Sequence, residues 1–331
     1  MDEKSTPSSH LVTKVCEMIN QDLKSLRVSS SSKKVMDTKE TSLAVFPGSF
    51  NPPTKVHVDI VKRVLEMKDV EALWVDMTVH RTKKTRIAEV LSHRTKMAKL
   101  AVRDVENAGV TTLMSQLGDD GWGPDYFRIL QEVSGGYPVT WIMGSDVVRD
   151  MKYWREKARE CILMCRKIVV FTRSHDEKEI RDMIRDVMRR TSVEKDGEEE
   201  EDKTTQVSVM MLSKGCETIS STKTRSHLIE LSKKTKLSSL LHGKIASNEE
   251  EKGTSDDLIR HINELRRTTP ESVLTYIADH PDLVCFYENM YHGAARRSEE
   301  DDGAPSSKED GTNTCCSSND DTTSKKSLSV G

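Results

Sequence analysis

Between Val45 and His57 the chain reads Val-Phe-Pro-Gly-Ser-Phe-Asn-Pro-Pro-Thr-Lys-Val-His. An apolar run enters a Gly/Pro turn and leaves it into a helix-forming stretch. Gly48 lets the backbone approach a ligand with no side chain in the way, and Pro52 and Pro53 stiffen the loop. A helix that starts there offers unpaired N–H groups and the positive end of its dipole to an anion. Thr54 and His57 stand three residues apart, so a hydroxyl and an imidazole share one face of the first turn and can reach one phosphate together. A plain Gly/Pro loop with a capping Thr54 and a surface His57 fits the same spacing.

A second group follows in Ile219-Ser220-Ser221-Thr222-Lys223-Thr224-Arg225. Serine and threonine are good N-caps. Hydroxyls, backbone donors and a guanidinium on one first turn grip phosphate oxygens well, the planar Arg225 most of all. An ordinary capped helix with an exposed arginine explains the residues equally. Between these groups, a predicted strand ends in Gly144-Ser145-Asp146. A carboxylate there can bond ribose hydroxyls or serve only as an N-cap. Trp122 sits between Gly121 and Gly123, either to stack on a ring or as a loop tryptophan. Lys83 and Lys84 form a basic loop after the second strand, Arg173 follows the fifth, and Trp154 reads equally as a core aromatic.

These residues need a frame, and the hydrophobic pattern supplies one. Strands are predicted at Leu43–Phe46, Ala72–Met77, Val110–Met114, Val139–Met143, Ile168–Thr172 and Gln206–Leu212. Helices are predicted between them at Val56–Met67, His93–Glu106, Tyr126–Val133, Val147–Ile162 and Glu177–Met188. Two more follow at Asp256–Arg267 and Pro270–Asp279, with Pro270 in the first turn. The alternation implies an α/β, Rossmann-like, doubly wound parallel sheet with C-terminal helices.

Residues 1–41 read as a polar arm carrying a short apolar helix near Leu11–Leu23, and 42–292 as the folded domain. Flexible insertions are expected near 192–204 and 233–254, and a disordered tail over 293–331. The 331-residue chain is 32% charged and 5% aromatic with a net charge of −3, which is no footprint for sequence-independent nucleic-acid binding. Its seven cysteines are odd in number and form no CxxC pair, so free thiols in a reducing compartment are expected. No run is long and apolar enough for a membrane span, and the first residues are not a signal peptide. The cytoplasm is the expected location, with the nucleus and a homo-oligomer left open.

The segment Gly48–His57 resembles the GxFxPx(T/H)xxH signature of the nucleotidyltransferase superfamily, above all in the nicotinamide/nicotinate mononucleotide adenylyltransferases. Val56 departs from the usual glycine. Ile219–Arg225 resembles that superfamily's ISSTxxR motif. Trp141–Asp146 with Trp154 resembles its strand-end GxD and later tryptophan, and Thr269–Ile277 with His280 its closing helix.

The resemblance implies adenylyl transfer from ATP to a pyridine mononucleotide, with Mg²⁺ carried mainly on the ATP phosphates and no protein metal cage. His57, Thr54, Arg225 and Lys84 would act on the phosphates. Gly48, Ser49, Phe50, Gly144, Asp146, Ser220, Ser221 and Thr222 would complete the ATP site. Ser49, Phe50, Trp122, Trp154 and Arg173 would hold the mononucleotide. Other readings stay open: the same chemistry on phosphopantetheine or an alcohol phosphate, a non-catalytic nucleotide binder, or an interaction protein acting through its tails.

Overall fold

Successive residues of a strand face opposite sides of a sheet, and the strands of this chain are apolar on both sides. That pattern demands cover on both faces. In the computed structural model, which describes residues 41–78, 90–117, 123–154, 156–173, 176–189, 205–234 and 256–289, both faces are covered. The strands are β1 (Ser42–Gly48), β2 (Val70–Met77), β3 (Ala108–Thr111), β4 (Val139–Gly144), β5 (Lys167–Thr172) and β6 (Gln206–Met211). They form one parallel sheet in the order β3-β2-β1-β4-β5-β6. Leu43 and Val45 of β1 point into one core with Trp141 and Met143 of β4. Ala44 and Phe46 point into the other, with Ile142.

The helices are α1 (Lys55–Leu65), α2 (Leu91–Val102), α3 (Leu113–Leu117), α4 (Pro124–Val133), α5 (Ser145–Asp150), α6 (Glu156–Leu163), α7 (Glu177–Arg189), α8 (Ser221–Lys234), α9 (Asp256–Thr268) and α10 (Glu271–Asp279). A last helix, α11, spans 281–289. α9 packs along α8, and α10 lies against α2. Among the described residues no helix is long and apolar enough to cross a membrane.

The sheet and its wrapping match the sequence reading, with local corrections. β3 ends at Thr111 rather than Met114. Thr111 Oγ1 accepts the Leu113 N–H and the Asp76 carboxylate accepts the Met114 N–H, so both donors open α3 instead of extending the strand. The single helix expected over Val147–Ile162 is broken by a 3-10 turn at Met151–Tyr153. Its halves share α7 as a neighbour but differ in the rest: α5 also packs on β4 and β5, α6 on α4. Pro270 is the N-cap of α10, one place before its first turn. The stretch expected to loosen at Lys233 is still helical there, because α8 continues to Lys234. The N-terminal arm up to residue 40, the segment 192–204, the rest of the 233–254 stretch and the tail lie outside the described residues, as do Lys83, Lys84 and Trp122.

Candidate active site

In an open parallel sheet, a crevice forms where neighbouring strands send their connections to opposite faces. Here that point lies between β1 and β4. Both strands end in glycine, Gly48 and Gly144. A cavity of about 870 Å³ opens over these ends, lined by the Gly48–Phe50 turn, His57, the Gly144–Asp150 helix start, Trp154, Arg173 and Ser220, among others. A Cβ on Gly48 would come within 2.9 Å of the Phe50 ring, and one on Gly144 within 2.3 Å of Asp146 Oδ1. Each glycine therefore makes room for a neighbouring side chain of the site itself.

His57 forms the floor. Thr54 caps α1, and its backbone N–H donates to His57 Nδ1 at 2.8 Å. A backbone amide can only donate, so Nδ1 accepts and the neutral ring carries its proton on Nε2. The Thr54 hydroxyl lies 2.9 Å from the same Nδ1. The rings of Phe50 and Phe46 sit 5.0 and 6.2 Å from the imidazole. Burial, and secondarily the positive charge of Arg173, hold the His57 pKa down at about 4. At neutral pH the cavity floor is thus an uncharged N–H donor. Thr54 is buried behind the ring rather than in the cavity wall.

The second motif meets the first. Ser221 Oγ donates to Pro52 O at 2.8 Å, and Arg225 Nη1 donates to Asn51 O. Arg225 Nη2 also reaches Thr222 Oγ1 at 3.2 Å. The start of α8 therefore braces the Asn51–Pro52 turn, whose peptide bond is cis. Ser220 lines the cavity, whereas Ser221, Thr222 and Arg225 stand behind the turn. The Asn51 amide is buried with neither its oxygen nor its nitrogen paired.

The opposite wall is the short helix α5. Asp146, Arg149 and Asp150 project there as exposed charges. Trp154 stacks on Trp141 with ring centroids 6.5 Å apart and planes 19° apart. The structure thus brings Gly48, Ser49, Phe50, His57, Gly144, Asp146, Trp154, Arg173 and Ser220 to one cavity.

Two buried groups beside the cavity escaped the sequence reading. Arg94 on α2 is fully buried, with its guanidinium on the carbonyls of Ser49 and Thr78. Asp76, near the end of β2, accepts the Tyr126 hydroxyl at 2.7 Å. Burial raises its pKa to about 7 against the pull of hydrogen bonds from Tyr126, Met114 and Met77. In sequence both are charged residues in amphipathic surroundings, and nothing separates them from solvated ones.

A family model described as cytidylyltransferase-like matches residues 45–227. A protein of Prosthecochloris aestuarii described as a probable nicotinate-nucleotide adenylyltransferase is 31% identical over 135 residues, covering 40% of this chain and 65% of that protein. One of the same description from Bacillus licheniformis is 24% identical over 115 residues, covering 34% of this chain and 60% of that protein. The chain thus spans somewhat less than two thirds of these relatives' length. A solved structure of the Plasmodium falciparum nicotinic acid mononucleotide adenylyltransferase complexed with APC aligns at 17% identity with a TM-score of 0.49, covering 74% of this chain and 98% of that one.

Proposed function

The chain belongs to the cytidylyltransferase-like family, and from that premise we propose that it transfers the adenylyl group of ATP to the 5′-phosphate of a pyridine mononucleotide, releasing pyrophosphate. The observation that carries this reading is His57. Its Nδ1 is engaged by Thr54, and its ring lies in a cavity at the switch point of the sheet. That leaves Nε2–H to donate to an α-phosphate oxygen.

The mononucleotide phosphate is already an anion, so no base need activate it. One of its oxygens forms a bond to Pα as the Pα–O–Pβ bond opposite breaks, and pyrophosphate departs with that electron pair. The protein's contribution is positioning and charge stabilisation. Thr54 orients His57. Gly48, Ser49, Phe50 and Ser220 shape the phosphate path, with Ser221, Thr222 and Arg225 holding its turn and Lys84 adding a cation. Gly144 and Asp146 take the ribose. Trp154 on Trp141 offers a flat face to the pyridine ring, with Trp122 and Arg173 as further contacts.

A Mg²⁺ ion that keeps water and phosphate oxygens fits a wall in which, among the described residues, the lining carboxylates are Asp146 and Asp150. Among the described residues no three His, Cys, Asp or Glu groups converge into a protein cage. When bound, the ion neutralises charge developing on pyrophosphate.

The relatives' names favour a nicotinate acceptor, and Arg149 and Arg173 in the cavity wall suit its carboxylate. The test offers purified protein and Mg²⁺ with ATP or CTP, against nicotinate mononucleotide, nicotinamide mononucleotide, phosphopantetheine and glycerol 3-phosphate. Dinucleotide and pyrophosphate are expected from ATP with a pyridine mononucleotide. Turnover confined to another acceptor, or to CTP, would overturn the reading.

A further inference from the structure

Arg94 has 0% exposure. Its Nη1 donates to Ser49 O at 2.9 Å and to Thr78 O at 3.0 Å, and its Nη2 donates to Thr78 O at 2.9 Å. Burial lowers its pKa only to about 10, so it is a cation at neutral pH. Among the described residues no carboxylate forms an ion pair with it. A buried cation without a counter-ion is costly, and a neutral donor could tie two carbonyls as well.

The peptide it holds explains the charge. Ser49 and Phe50 line the cavity, but Arg94 stands behind them. The Ser49 carbonyl therefore points away from the cavity. In a trans peptide the C=O and the following N–H point in opposite directions, so the Phe50 N–H faces inward. No backbone carbonyl among the described residues accepts it. Phe50 is a non-glycine residue at φ 42°, a strained conformation. Ring contacts with Phe46 at 5.2 Å and His57 at 5.0 Å hold it there.

We propose that Arg94 is a positioning residue for adenylyl transfer: it turns and polarises the Ser49–Phe50 peptide so that the Phe50 N–H is aimed at an ATP phosphate oxygen beside His57. Guanidinium, peptide dipole and phosphate then lie head to tail, and the buried charge finds its counter-ion through one peptide when the anion arrives. The proposal rests on the adenylyl-transfer reading of the cavity.

The test uses the full chain labelled with ¹⁵N-phenylalanine, which gives five amide signals. It is titrated with α,β-methylene ATP and Mg²⁺ as wild type, Arg94→Met and Arg94→Lys. The wild-type Phe50 amide is expected to move downfield. In Arg94→Met that shift is lost while the Phe127 and Phe286 signals stay in place, and kcat falls about a hundredfold with KM within about threefold. Arg94→Lys keeps the charge but not the fork, and should fall between. If Arg94→Met does not fold, the lysine variant decides, and a wild-type response and rate from it would overturn the proposal. A wild-type Phe50 amide that ignores the nucleotide, or one that responds alike in all three proteins, would also overturn it. Absence of dinucleotide synthesis by wild type would count against the adenylyl-transfer reading alone, because the amide shift still decides the role of Arg94.

Discussion

Two buried titratable groups beside the cavity pull stability in opposite directions with pH. The His57 pKa drops from 6.5 to about 4 on folding, so between those values the unfolded chain binds the extra proton. Its effect is stability that falls as pH drops through that window. Asp76 rises from 3.8 to about 7, so there the folded chain binds the extra proton. Its effect is stability that falls as pH rises through the overlapping window. In the wild type the two offset one another. Urea denaturation from about pH 4 to about pH 7 should therefore separate them. His57→Asn should leave a protein that weakens as pH rises, and Asp76→Asn one that weakens as pH drops. Parallel pH curves for both variants would contradict the assignment of these two groups. The His57 contribution was half legible in the sequence: spacing put Thr54 and His57 on one face. That the backbone of Thr54, rather than a phosphate, claims Nδ1 follows only from the capping geometry at the start of α1.

At the level of elements, the start of α8 acts as a brace. Ser221 and Arg225 hold the carbonyls of Pro52 and Asn51, so a helix late in the chain fixes the turn after the first strand. Ser221→Ala removes one such bond, worth about 1 kcal/mol, and should raise the Kd for ATP about fivefold. Arg225→Ala leaves the Asn51 carbonyl without that donor and should raise it about tenfold or more. Calorimetric titration with a non-hydrolysable ATP analogue checks both, and unchanged affinity in either would count against the brace. Strand positions were plain from short β-branched runs such as Ile168–Thr172. What periodicity could not show is where a buried carboxylate or a change of packing partner interrupts a pattern. Asp76 converts the end of β3 into α3, and Met151–Tyr153 divides α5 from α6, although the apolar spacing of Val147–Ile162 runs on unbroken.

Across the whole molecule, the strand order β3-β2-β1-β4-β5-β6 gathers distant segments into one cavity. Gly48 and Gly144 meet because β1 and β4 are neighbours, and Ser220 joins them because α8 starts above the same edge. From the two motifs the sequence led to the expectation of a two-sided phosphate site; of the second motif, Ser220 lines the cavity. The burial of Arg94 behind it depends on how α2 lies against the sheet, and no local pattern encodes that.

If this cavity is where adenylyl transfer occurs, its floor must matter most at the chemical step. The most direct measurement is single-turnover formation of dinucleotide from ATP and the preferred pyridine mononucleotide, by wild type and by His57→Ala of equal thermal stability. A drop of about a thousandfold in rate, with little change in ATP binding, is the predicted result. A near-equal rate in the two proteins would contradict it.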